Sequence, residues 1–204
     1  MARLTKAKGK IVRRLGTNIF GNPKYDRLLK KKPQGPGEPK KGRVRQTEYG
    51  RQLVEKQKLK FAYGLSERQF RNLFYKAKHM KGVTGDNMLV LLERRMDNVV
   101  YRLGMATSRS QARQLVSHGH ILLNNRRLSI PSALVRAGDT ITVKERKATK
   151  DLVRRLLADN SGRPVPPWLE MSRDEMIGSV QALPTRDVIP TIAEEQLIIE
   201  FYSK

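Results

Sequence analysis

Apolar positions along this chain recur with helical spacing over long stretches and alternate only in short ones. Thr47 to Tyr63 carries Leu53 and Leu59 on one stripe and ends at Gly64, which predicts a helix. Gln52, Lys56, Lys60 and Tyr63 lie along another side of it. Ser66 with Gln69 three residues later predicts a capping box opening a second helix. Its apolar stripe is Phe70, Leu73, Phe74, Ala77 and Met80, it ends at Lys81-Gly82, and Arg71, Tyr75 and Lys78 lie off the stripe. Asp86 to Leu103 predicts a longer helix with Asp86 as N-cap, Leu89, Leu92, Met96, Val99 and Leu103 inward, and Gly104 as its stop.

The pattern then tightens. Ser108 caps a short helix, again with a Gln at the third position, Gln111; Ala112, Leu115 and Val116 face inward and Gly119 ends it. Ile121 and Leu123 alternate as a strand into Asn124-Asn125, a pair that tolerates positive φ. Gly138-Asp139 turns into a strand over Thr140 to Val143. Residues 144–160 are charged and partly helical. Pro164, Pro166 and Pro167 force an extended path to Trp168-Leu169, and Leu197 to Tyr202 predicts a terminal strand. The fold class is therefore α+β, a mostly helical body with an inserted small helix-and-sheet module. The expected division is an arm and loop over 1–45, a helical body over 46–93, the module over 94–157, and a C-terminal segment over 158–204 packing back on the body.

Charge changes what the pattern means. The 204 residues hold 42 Lys and Arg against 19 Asp and Glu, a net +23, and only 38% hydrophobic residues. The first 60 residues carry 19 cationic against 4 acidic side chains, the next 90 carry 17 against 6, and the last 54 carry 6 against 9. A polyanion partner is expected on the first three quarters, because Lys and Arg release condensed counterions from phosphates. Residues 1–20 form a basic arm anchored by Leu4, Ile11, Val12, Leu15, Ile19 and Phe20, punctuated by Gly16 and Gly21-Asn22-Pro23. Residues 30–46, KKKPQGPGEPKKGRVRQ, cannot bury a core and are expected as an extended, solvated loop, either threading along RNA or serving as a flexible linker, with the charge favouring RNA. No run approaches a membrane span or a signal peptide, so a cytoplasmic protein is expected.

Arg109 and Arg113, four apart, share a face of the short helix, flanked by Ser110, Gln114 and His118; His120, Asn124, Asn125 and Arg126 leave the strand beside it. Guanidinium forks match phosphates, and amides add donor–acceptor pairs for ribose or base edges. His118-Gly119-His120 lacks further ligands at metal-site spacing, and the chain has no Cys. Glu93 and Asp97 fit ion pairs with nearby Arg, not a general acid and base. No phosphate-cradling Gly loop or nucleophile elbow is present, so no enzyme, metal or cofactor is expected. Tyr49, Tyr63 and Tyr75 lie among cations, where both base stacking and core packing are open.

At these residues the chain resembles the bacterial small-subunit ribosomal protein S4 family over nearly its whole length. KIVRRLG resembles the family's N-terminal signature and EYGRQLVEKQKLKFAYGLSERQF its helical domain. LLERRMDNVVYRLGMATSRSQARQLVSHGHILLNN, closed by PSALVRAGDTITV, resembles its RNA-binding module; PPWLE and EQLIIEFYSK also fit. The module alone occurs in pseudouridine synthases and tyrosyl-tRNA synthetases, so the flanking segments make the match specific. The resemblance implies a primary binder of small-subunit rRNA at a five-helix junction of its 5′ domain, nucleating body assembly. It implies a place beside ribosomal proteins S5 and S3 near the channel where mRNA enters, and a contribution to decoding accuracy. Many relatives carry an N-terminal Cys cluster that binds zinc; this chain resembles the zinc-free form. The expected RNA contacts are Arg3, Lys10, Arg13, Arg14, Lys40, Arg43, Arg45, Tyr49, Gln52, Lys56, Lys60, Gln69, Arg71 and Arg95, together with the Arg109 to Arg126 face, and the clustering of the latter around two turns leads us to expect that the two domains clamp folded RNA.

Overall fold

A computed structural model describes residues 6–37 and 47–203. Arg3, Lys40, Arg43 and Arg45 lie outside the described residues. The chain divides into two compact units, one of residues up to 75 plus 191 onward, the other of residues 76–190. These units cut the chain elsewhere than the sequence boundaries at 46, 94 and 158. Residues 158–190, expected on the body, belong with the module, for a reason the sheet supplies below.

The first unit is helical. α1 (Lys8–Leu15) buries Ile11, Val12 and Leu15, and Gly16, at φ 67°, ends it. α2 (Pro23–Lys31) starts where the Asn22 side chain accepts from the Lys24 N–H. Composition alone makes this stretch an arm; Asn22-Pro23 is in fact an N-cap followed by Pro at the first helical position. α3 (Glu48–Ala62) is capped by Thr47 and ends at Gly64, φ 65°. α4 (Glu67–Lys78) opens with the expected box: Gln69 N–H donates to Ser66 Oγ and Ser66 N–H donates to the Gln69 amide oxygen. The C-terminus is not a strand but α9 (Glu195–Ser203), packed along α3. Leu197, Ile198, Phe201 and Tyr202 repeat at helical spacing, and Tyr202 stacks on Phe74 with ring centroids 4.6 Å apart. The paired β-branched residues Ile198-Ile199 favour a strand locally, but the sheet lies in the other unit.

In the second unit the helix expected over 86–103 is two, α5 (Thr84–Glu93) and α6 (Met96–Arg102). The break has a clear cause. Residues 131–135 run alongside Arg94–Asp97, with Met96 N–H on Ala133 O at 2.8 Å, Asp97 N–H on Pro131 O and Val135 N–H on Arg94 O. The first two take donors, and the third an acceptor, that a continuous helix would need. The N-cap of α5 is Val83, and Asp86 falls in the first turn, where its charge suits the helix dipole. α7 (Arg109–Ser117) follows, then β1 (Ile121–Leu123), β2 (Arg126–Arg127), β3 (Thr140–Val143) and α8 (Lys147–Asp159). β4 (Leu169–Ser172) and β5 (Ile177–Val180) complete an antiparallel sheet in the order β2-β1-β3-β5-β4. β5 pairs Gly178 with Ile141 of β3, so the segment after α8 extends the module's sheet. Leu103, Val116, Ile121, Ile141, Val153 and Trp168 share one core beneath it.

Candidate nucleic-acid interface

The module's face is built from α6, α7 and the β1–β2 hairpin. Ser108 Oγ accepts from the Gln111 N–H, but the Gln111 side chain turns to Thr107, accepting from its N–H and hydroxyl at 2.8 Å each, so the box closes one residue early. Asn124 and Asn125 sit at φ 50° and 61°, which sets the tight hairpin turn. Asn125 and Arg126 are exposed at its tip, Ser110 and Gln114 are exposed on α7, and His118 is exposed at its C-cap. Asn124 is exposed as well, but both ends of its amide are engaged: its nitrogen donates to Asp139 at 2.9 Å and its oxygen accepts from the Thr140 N–H at 2.8 Å.

The Arg residues divide by depth. Arg95, only 5% exposed, grips Asp97 with both Nε (3.1 Å) and Nη2 (2.9 Å), so it stays inside the protein, against the expectation that it meets RNA. Arg113 has a side chain 14% exposed, with Nε 4.0 Å from the same carboxylate. Burial pushes its guanidinium below the ordinary arginine range; Asp97 opposes that and Arg95 adds to it. Glu93, at 1% exposure, accepts a bidentate pair from Arg102 at 2.7 and 2.9 Å. Arg109 is half-buried at the surface, its Nε on Asn98 Oδ1 at 2.8 Å and its guanidinium 4.6 Å from the centre of the Tyr101 ring. Glu93 and Asp97 are thus arginine partners, as the sequence indicated.

His120 is half-buried with Nδ1 3.2 Å from Thr149 Oγ1. Burial first, then His118, Arg146 and Lys144, lower its proton affinity. The last two name what sequence reasoning missed: Lys144 and Arg146 are exposed beside this histidine. Their signal is the basic run just past β3, which reads in the sequence as merely charged. Arg127 was missed as well; a Cβ on Gly119 would collide with its Nε, so glycine lets this guanidinium cross the end of α7.

In the first unit Lys10, Arg14, Tyr49 and Arg71 are exposed. Arg13 fastens the chain after α2 through Gln34 O and Gly35 O. Gln52, Lys56 and Lys60 were expected to face RNA but are buried. Gln52 donates to Glu200 at 3.0 Å, and both ammoniums converge on Glu67, Lys56 at 2.7 Å and Lys60 at 2.8 Å. Gln69 is spent in its capping box. Tyr63 is core, 6% exposed.

What the surface offers is a cationic and amide-bearing face on a rigid helix–hairpin frame, suited to phosphates and to unpaired or shaped RNA. No helix among the described residues is long and apolar enough to cross a membrane. Comparison with known proteins agrees with that chemistry. Residues 3–93 match the Ribosomal protein S4/S9 N-terminal domain and residues 94–141 match the S4 domain. Small ribosomal subunit protein uS4 of Borrelia hermsii (strain HS1 / DAH) is 56% identical, aligned over all of this chain and 99% of its own length. The uS4 proteins of Borreliella burgdorferi (strain ZS7) and Borreliella afzelii (strain PKo) are 55% and 50% identical over the same extent. With two domain matches in succession and relatives of this identity from end to end, the chain belongs to the small ribosomal subunit protein uS4 family.

Proposed function

We propose that the chain is a structural component of the small ribosomal subunit, working in the cytoplasm as a binder of small-subunit rRNA and not as an enzyme. The observation that carries this reading is the surface formed by Arg109, Ser110, Gln114, His118, Asn125 and Arg126, held on a frame whose own charges are paired inside. The cations fix phosphates and set orientation; the amides and histidine read ribose and base edges where the RNA is unpaired. Lys144 and Arg146, beside His120, lengthen the face. The finer reading follows the family resemblance: a primary binder at a five-helix junction of the 5′ domain, nucleating body assembly. On the same reading it sits beside S5 and S3 near the channel where mRNA enters and contributes to accuracy.

The test is a salt-dependent titration of the full chain with a transcript of the small-subunit 5′ domain against a folded RNA of equal mass. Preference for the former is expected. R109A and R126A, both at or near the surface, are each expected to weaken binding by about 1.5–3 kcal/mol. Removing one cation from a phosphate lowers the slope of log K against log salt by roughly 0.7–0.9. Equal affinity for both RNAs overturns the proposal.

A further inference from the structure

Tyr101, near the end of α6, has two guanidinium groups over its ring. One is that of Arg109, at 4.6 Å from the ring centre; the other is that of Arg163, at 4.4 Å. Arg163 follows α8 and lies beyond residues 94–141, the extent of the S4 domain match. It does more than stack. Its Nη1 donates to Tyr101 O at 3.2 Å and Ala106 O at 3.0 Å, and its Nη2 to Thr107 O at 3.3 Å. Those carbonyls lead from the end of α6 to Ser108, the cap of α7. Asn160 adds a bond to Gly104 O at 2.9 Å.

Arg109 is held from a second side as well. The Asn98 amide nitrogen donates to both Glu93 O, at 3.0 Å, and Glu93 Oε2, at 2.8 Å. With both its hydrogens engaged, Asn98 can only turn its oxygen to Arg109. Glu93 is itself locked by Arg102. A surface arginine is ordinarily free to choose among many rotamers, and a ligand must select one of them at an entropic cost. Here the side chain is confined between an amide with a fixed orientation and an aromatic ring.

We infer that Tyr101 and Arg163 are positioning residues for RNA binding: they hold the loop before α7 and present the Arg109 guanidinium in one orientation. The inference rests on the reading of Arg109 as an RNA contact. It makes the linker after α8 part of the module's binding apparatus, although Arg163 need not touch RNA.

A double-mutant cycle on the full chain tests it, with the 5′-domain transcript as probe. Y101L and R163A are each expected to weaken binding about threefold to tenfold in the otherwise native chain, between the range of an exposed and that of a desolvated cation–π contact. In an R109A background each is expected to change affinity by less than about twofold. Y101F, which keeps the ring, is expected to bind like the native chain. Y101L leaves Arg163's carbonyl partners in place, so the cycle stands even where R163A fails to fold. Losses of the same size with and without Arg109 indicate a general structural role and overturn the inference, as does native affinity in Y101L. Specific binding by the native chain with no effect of R109A also overturns it and leaves the proposed function intact. Absence of any RNA preference in the native chain overturns the proposed function itself.

Discussion

Glu67 ties three helices of the first unit together through one carboxylate. Its carboxylate receives Lys56 at 2.7 Å, Lys60 at 2.8 Å and the Tyr202 hydroxyl at 3.0 Å, so it joins α3, α4 and α9. The two lysines are 4% and 8% exposed, while the glutamate side chain is 48% exposed. Burial pushes the carboxyl up, but hydrogen bonds and charge from Lys56 and Lys60 outweigh it and bring the pKa from 4.5 down to about 2. The Tyr202 hydroxyl is raised, by burial first and then by this same carboxylate. The shift on Glu67 corresponds to a ceiling of about 3.4 kcal/mol, at roughly 1.36 kcal/mol per unit. Solvent screening of a half-exposed carboxylate lowers that to about 2 kcal/mol. Glu67→Gln is therefore expected to lower the melting temperature by roughly 4–8 °C at pH 7 and to speed amide exchange in α9. A depressed folded pKa means that the unfolded chain takes up the proton first. The contribution is complete above about pH 4.5 and disappears as pH falls toward about 2. The gap between native and variant proteins should narrow over that window. A gap that stays constant down to about pH 3, or unchanged exchange in α9 at pH 7, refutes the reasoning.

Arg95→Ala leaves Asp97, 4% exposed, without its bidentate partner and is expected to cost about 3 kcal/mol. Urea unfolding followed by Trp168 fluorescence measures it, and R95A/D97A should be less destabilised than R95A alone. Gly178→Ala places a Cβ 2.5 Å from Leu103 Cδ1 in the core, and the same assay should show a loss of about 1–3 kcal/mol; a neutral G178A would contradict the packing described.

Much of this is legible in the chain. The box at Ser66 and Gln69, the hairpin turn at Asn124-Asn125 and the stops at Gly64 and Gly119 follow from the sequence, because each depends on bonds between near neighbours. The candidate face is legible in part. Ser110, Gln114, His118 and Asn125 are exposed as expected. Arg95, Gln52, Lys56 and Lys60 are not, since whether a cation faces solvent or a carboxylate depends on what packs against it. Lys56 and Lys60 lie four apart on α3 and meet one glutamate from the next helix, a pairing that helical spacing alone leaves open.

The sequence by itself determined the fold class, the excess of positive charge and the local signals that start and stop most helices. These rest on composition, periodicity and capping, which act over a few residues. Tertiary structure alone decided the break between α5 and α6, where strand-like residues 131–135 capture backbone donors. It decided that β4 and β5 join the module's sheet and that the last residues form a helix along α3. It also decided which arginines reach the surface. The helix break, the sheet and the terminal helix depend on partners dozens of residues away, and the arginines on the carboxylates that the fold packs against them; these hydrogen bonds and buried charges outweigh local preference.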